Sequence, residues 1–230
     1  MIKQIAVAVT LTLAPAAFAQ TYINAEGDCG AVTFHVVRSA GYTKPAETIA
    51  ADSVADAFVY LPKHRVAETP AAATGSLDFD ATIPEGEFVT MAGVNFKPVT
   101  EKHETRTDHA KALLFCGATP RADWQRSANL GLEIFPQAWN PGRPKLKRGD
   151  SIRFIAVEES TRKLLGDLPM ELYRVGGGHV ATGTADPAGG MDFRYPAPGR
   201  YIVTATFRRP DPQNAEEWLV DTSSLTFDVN

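Results

Sequence analysis

The chain holds 230 residues, 44% of them apolar and 22% charged, with a formal net charge of −4, 18 glycines and 16 prolines. That leaves room for one elaborated domain or two small ones, in a chain too apolar for disorder and too aperiodic for collagen. The mild acidity offers no electrostatic footprint for nucleic acid, so no such partner is expected.

Residues 1–19 carry Lys3, then an almost unbroken apolar run containing Pro15, then Ala17-Phe18-Ala19 as a small-x-small cleavage signal. This reads as a signal peptide cleaved after Ala19. The run is at the short limit for a membrane span, and no second run of that length follows. The expected mature product is therefore periplasmic, without a transmembrane segment. Cys29 and Cys116 would meet an oxidising compartment, either as a disulfide or as two buried small hydrophobes. Neither belongs to a CxxC motif.

In chain order, Ala31–Val37, Asp56–Leu61 and Glu87–Phe96 have the composition of strands. The alanine-rich stretch His64–Gly75 reads as a loop, and Pro84-Glu85-Gly86 as a turn. His109–Cys116 continues the strand pattern, with Lys111, Leu113 and Phe115 on one face and Ala112, Leu114 and Cys116 on the other. The polar stretch Gly117–Asn129 reads as a boundary. After it, Leu130–Phe135 reads as a strand ended by Pro136, with a turn-rich connection over Asn140–Pro144. Ser151–Val157, Met170–Val175, His179–Thr184, Met191–Tyr195, Tyr201–Arg208 and Leu225–Val229 follow as short strands. In Tyr201–Arg208 the period is plainly two: Tyr201, Val203, Ala205 and Phe207 make an apolar face opposite Thr204, Thr206 and Arg208. No clean helical period survives beyond short turns at Lys44–Ala55, Asp123–Ala128 or Glu216–Leu219. The expectation is an all-β chain of two antiparallel β-sandwich modules, residues 20–120 and 125–230, or one elaborated sandwich whose halves share a core.

A set of short motifs in the second half supports a resemblance. Leu132-Glu133-Ile134 with Asn140-Pro141, Leu146 with Arg148-Gly149-Asp150-Ser151-Ile152, Lys163 to Met170, Ala197-Pro198-Gly199-Arg200-Tyr201-Ile202-Val203, and Ser224-Leu225-Thr226-Phe227 resemble a family of bacterial periplasmic proteins catalogued as of unknown function. Some members are associated with nickel or cobalt uptake as periplasmic components. The C-terminal module is similar to transthyretin-like and collagen-adhesin B-type sandwiches. The resemblance implies a non-enzymatic binding or accessory protein, a nickel or cobalt ion, and a membrane transport component as partner. The expected mature start, Gln20-Thr21-Tyr22-Ile23, lacks the histidine that the family often carries there.

Imidazoles suit nickel and cobalt, and carboxylates can complete a site. The chain has five histidines, and the densest cluster is Glu101-Lys102-His103-Glu104-Thr105-Arg106-Thr107-Asp108-His109. On a straight strand His103 and His109 would stand about 20 Å apart, so a shared site requires a turn within Glu104–Asp108. Its oxygen ligand would be Glu101, Glu104 or Asp108. His35 stands on a mixed face of its strand and is a further candidate, while His64 and His179 fall at turns. No GxSxG, HExxH or phosphate-binding loop is present, and Gly176-Gly177-Gly178 reads as a hairpin turn. Trp139, in its Pro/Gly-rich loop, is the best candidate for a protein- or sugar-contacting aromatic. The readings in competition are a metal-binding accessory protein, a structural or protein-interaction module of the cell envelope, and a carbohydrate-binding or hydrolytic protein.

Overall fold

The computed structural model describes residues 19–28, 30–40, 42, 47–61, 65–83, 88–116, 127–137 and 148–229; of residues 19, 28, 88, 89, 115 and 116 it describes the backbone alone. The first half contributes β1 (Ala19–Asp28), β2 (Ala31–Ala40), a 3-10 turn (Ala51–Ser53), β3 (Val54–Tyr60), β4 (Arg65–Ala67), β5 (Ala71–Ala73), β6 (Ser76–Ala81), β7 (Phe88–Phe96), β8 (Val99–Glu101) and β9 (Glu104–Cys116). The second contributes β10 (Leu132–Gln137), β11 (Ser151–Glu158), β12 (Lys163–Leu164), β13 (Pro169–Arg174), β14 (Gly178–Thr184), β15 (Gly190–Arg194), β16 (Gly199–Pro210) and β17 (Trp218–Val229). The chain is all-β, as its two-residue periods require.

Three sheets form. A nine-stranded sheet runs β14-β13-β16-β17-β9-β7-β3-β4, with β8 also on β9. A four-stranded sheet, β1-β2-β6-β5, lies on one side of it, and a second, β10-β11-β12 with β15 on β11, on the other. The stacking order follows from alternation. Ala57, Val59, Ala92, Val94, Ala110 and Ala112 pack with Phe34, Leu77 and Phe79 of the first small sheet. Their immediate neighbours Phe58, Met91 and Leu113 pack with Ile134, Phe154 and Phe193 of the second. Successive side chains on a strand point to opposite faces, so the two cores lie on opposite faces of the same middle strands.

Among the described residues the ladders are antiparallel with one exception: β17 runs parallel to β9, from Trp218 opposite Glu104 to Thr226 opposite Ala112. The middle sheet therefore takes strands from both sides of the expected boundary near residues 120–125. Its second core places Phe58, Met91 and Leu113 of the first half with Tyr201, Val203, Leu225 and Phe227 of the second. The aromatic centre of that core is Phe227, whose ring lies 5.4 Å from Phe154, 5.6 Å from Tyr195 and 6.4 Å from Tyr201.

Two local expectations are corrected, and polar residues at two places take positions set by distant strands. The alanine-rich stretch is not all loop: β4 and β5 are three-residue strands that take their ladders from β3 and β6. Pro136 does not end its strand but pairs with Phe154, which an edge strand permits because its outer N–H side faces no ladder. The polar residues Glu104–Asp108 do not turn: they extend β9 toward its N-terminal end, held by β8 on one side and β17 on the other. Thr204 is buried at 3% exposure beside Ile202, because β1 crosses that face of the large sheet, where Ser224 Oγ donates to the Thr21 carbonyl at 2.6 Å.

A core shared between the halves predicts one unfolding event. Leu113→Ala and Phe227→Ala, one in each half, should each lower the unfolding free energy by about 2–5 kcal/mol, read from the shifted midpoint of a single urea transition followed by circular dichroism. Two separable transitions, with only one of them moved by each substitution, would contradict it.

Candidate functional site

Strand β9 sorts its polar side chains by parity. His109 and Lys111 share the face of Leu113, toward the second small sheet, while Asp108 shares the face of Ala110 and Ala112, toward the first. Lys111 and Glu133 are both fully buried and meet at 2.8 Å. Glu133 Oε1 also accepts the Ala128 N–H at 2.7 Å, and Oε2 accepts Ser127 Oγ–H at 3.1 Å. Ser127 Oγ lies 2.7 Å from Glu159 Oε1, which Arg162 reaches at 2.9 Å from the surface. The Lys111 ammonium stands 4.3 Å from the centre of the Phe135 ring. Burial pushes the Lys111 amine below the usual lysine range, and Glu133 opposes that shift.

A second polar chain adjoins it. His109, 5% exposed, has Nδ1 2.7 Å from Asn95 Oδ1 and Nε2 3.6 Å from Asp221 Oδ1. Asp221 in turn binds Arg209 at 2.9 Å, and Arg209 reaches Glu158 at 3.3 Å. The Gly131 backbone closes over the ring: a Cβ there would stand 3.1 Å from His109 Nε2. The two chains stitch β9 and β17 to β10 and β11 from inside. Lys111, Glu133 and His109 are closed off from solvent, while Arg162 and Arg209 reach the surface at the outer ends of the two chains.

The residues expected to hold a metal are dispersed. His103 is exposed in the turn between β8 and β9, where its carbonyl accepts the Trp218 N–H at 2.8 Å. Glu101 is exposed at the end of β8. Because β9 is continuous from Glu104, the turn that would fold His103 toward the buried His109 does not form. Asp108 points the opposite way, toward Arg38 at 3.1 Å and the Thr21 hydroxyl at 3.3 Å; burial pushes its carboxyl up, and Arg38 and Thr21 oppose the shift. His35 alternates with buried Phe34 and Val36, so it lies on the outer face of its sheet, 2.9 Å from Asp78 and 3.6 Å from Glu26. Among the described residues no group of three or more His, Cys, Asp or Glu side chains is arranged to hold a metal ion. Trp139 and Cys29 lie outside the described residues, as does the side chain of Cys116, and so does the expected disulfide.

Sequence reasoning missed the Lys111–Glu133 pair. Its signal was present: one lysine within Ala110–Phe115 and one glutamate within Leu132–Phe135, opposite charges each set in an otherwise apolar strand. On the surface, two shallow depressions flank the loop Tyr195–Gly199. One, of about 470 Å³, is lined by Asn24, Val175, Pro198, Gly199, Arg200 and Asp228. The Arg200 guanidinium there is spent on Asp228, Asn24 and the Ala25 carbonyl. The other, of about 350 Å³, is lined by Arg148, Gly149, Arg194, Tyr195 and Pro196.

No protein-family model and no curated protein matches the chain, so the resemblance to the periplasmic family rests on the short motifs quoted above. Three solved structures illustrate what it is similar to in shape. The central fibronectin-III array of RIM-binding protein is 11% identical, over 94% of this chain and 70% of that one, with a TM-score of 0.26. A tetra-tandem repeat from the extending region of a large adhesion protein is 11% identical, over 91% and 49%, with a TM-score of 0.28. A native alpha-2-macroglobulin from Escherichia coli, spanning domains NIE-MG1, is 9% identical, over 90% and 98%, with a TM-score of 0.27. Scores this low decide nothing about activity.

If the buried pair is cohesive, removing one partner is worse than removing both. Lys111→Met should cost about 3–5 kcal/mol, because Glu133 is left charged and unpaired, and Lys111→Met/Glu133→Leu should recover most of that loss. Urea denaturation of the single and double variants measures the coupling, and strictly additive losses would show that the two groups do not act as a pair.

Proposed function

We propose that this protein is a non-enzymatic structural or protein-interaction β-sandwich protein of the cell envelope, which works through sheet edges and end loops. The observation that carries the reading is the β14 edge of the large sheet. Gly178-His179-Val180-Ala181-Thr182-Gly183-Thr184 contains no acidic residue, no lysine or arginine and no proline, and among the described residues only β13 pairs with it. Edge strands are ordinarily blunted by charge, proline or a bulge, and here the register shift between Leu172 and Tyr173 supplies the bulge alone. Such an edge can take an added strand from a partner through main-chain hydrogen bonds.

A nickel or cobalt role would need His35, His103 and His109 to share a site. They stand on an outer sheet face, in an exposed turn and in a sealed interior, and that separation favours the interaction reading. The test places a photo-crosslinking side chain at Thr182 in cells producing the full chain. Discrete crosslinks to one envelope protein are expected, and they should be lost when Thr184→Lys, at an exposed position of the strand, charges the edge without changing the melting temperature. Crosslinks that persist in that variant would overturn the proposal.

A further inference from the structure

We propose that Arg148 and Arg194 form a binding site for a phosphate group at the depression beside the Tyr195–Gly199 loop. The site is built by backbone, not by chance proximity of long side chains. The Gly149 N–H donates to the Tyr195 carbonyl at 2.8 Å, and the Tyr195 N–H donates to the Asp150 carbonyl at 3.1 Å. These two bonds staple the segment carrying Arg148 to the segment carrying Arg194. Gly149 has φ +85°, a left-handed conformation that favours glycine, and Arg194 Nη2 lies 4.0 Å from where a Cβ at Gly149 would stand. The Arg194 guanidinium is thereby laid over the turn that follows Arg148, and both arginines line the depression.

The partner bookkeeping of the arginines sets this pair apart. Arg38, Arg65, Arg106, Arg153, Arg162, Arg200, Arg208 and Arg209 each reach a carboxylate. Arg174 gives its guanidinium to the Pro198 carbonyl, and Arg148 and Arg194 reach no carboxylate among the described residues, although the chain as a whole is acidic. Asp192, the carboxylate on the same face of β15 as Arg194, is taken by Arg153 at 3.2 Å. Two exposed guanidiniums that line one depression without a counter-charge repel each other, and an anion held by both converts that repulsion into attraction. Each presents a planar fork of N–H donors that matches the oxygens of a phosphate. The floor is rigid: Tyr195 is fully buried, its ring set against Tyr201 at 5.1 Å and Phe227 at 5.6 Å. The sequence leading into the site, Arg143-Pro144-Lys145-Leu146-Lys147-Arg148, is basic at four of six positions, and residues 138–149 contain no acid.

The phosphate can come from a free anion or from an anionic lipid headgroup, and the site does not depend on the β14 edge. The experiment titrates the full chain with inorganic phosphate by calorimetry, and separately with vesicles of phosphatidylcholine containing or lacking phosphatidylglycerol. We expect binding of phosphate, or of the phosphatidylglycerol vesicles alone, with a dissociation constant below about 1 mM. Arg148→Gln/Arg194→Gln should weaken it at least tenfold at an unchanged melting temperature, while Arg162→Gln leaves it intact. A response to vesicles without a response to phosphate assigns the site to the headgroup, and the reverse assigns it to the free anion. Absence of both responses, or equal binding by the double variant, overturns the proposal.

Discussion

The rest of the fold depends on the parallel ladder between β9 and β17. Hairpins can be closed by two residues, but a parallel pair needs a crossover long enough to bring the chain back to its starting end. Here the crossover is the whole intervening half of the chain, which folds into the second small sheet and into β13, β14 and β16 before β17 returns to β9. Because β9 then has neighbours on both sides and a sheet over each face, its residues from Ala110 to Leu113 have to be buried in both directions. The run Ala110–Leu114, apolar apart from Lys111, is the sequence consequence of that position.

A lysine inside such a strand needs a structural reason. Its neighbours across the ladders are Leu225 on β17 and Gly93 on β7. If β9 slipped by one residue, Lys111 would move to the face of Ala110 and Ala112, into a core whose members are apolar. Only in the observed register does its ammonium meet Glu133, which brings two further donors with it. Desolvating both groups is costly, and the Coulombic return in the interior offsets it only while the geometry holds. The pair therefore discriminates between registers more strongly than it stabilises the one that forms. The neighbouring His109–Asp221 contact acts in the same direction, because Asp221 and His109 belong to the two strands of the parallel ladder.

The all-β class was legible because a strand's burial is written into its period: Val32, Phe34 and Val36 alternate in sequence and are buried in the structure. Where reading failed, the missing information was a neighbour distant in sequence. Thr204 looks like a solvent-facing residue until β1 is laid across it, 183 positions earlier at Thr21. Glu104–Asp108 look like a loop because their own side chains are polar, yet their ladders come from β8 and β17. The histidine cluster failed for the same reason, since closeness in sequence along a strand means separation in space. The Lys111–Glu133 pair was written as two isolated charges in apolar runs, and only the packing of one sheet on another tells that they meet.

Packed side chains cover both faces of the middle sheet among the described residues, so the proposed recognition is assigned to sheet edges and end loops. The buried Lys111 and Glu133 are committed to one another, and the Arg200 guanidinium, though placed at a surface depression, is engaged by Asp228, Asn24 and Ala25. Among the described residues, the periphery of the second half presents main-chain groups along the β14 edge and the guanidiniums of Arg148 and Arg194 at the turn before β11 and the end of β15. These two features call on different forces. An edge strand recognises a partner by hydrogen bonds nearly independent of salt, whereas a pair of arginines acts through charge screened over about 8 Å at physiological ionic strength. Salt dependence thus separates contacts made by the edge from contacts made by the arginine end.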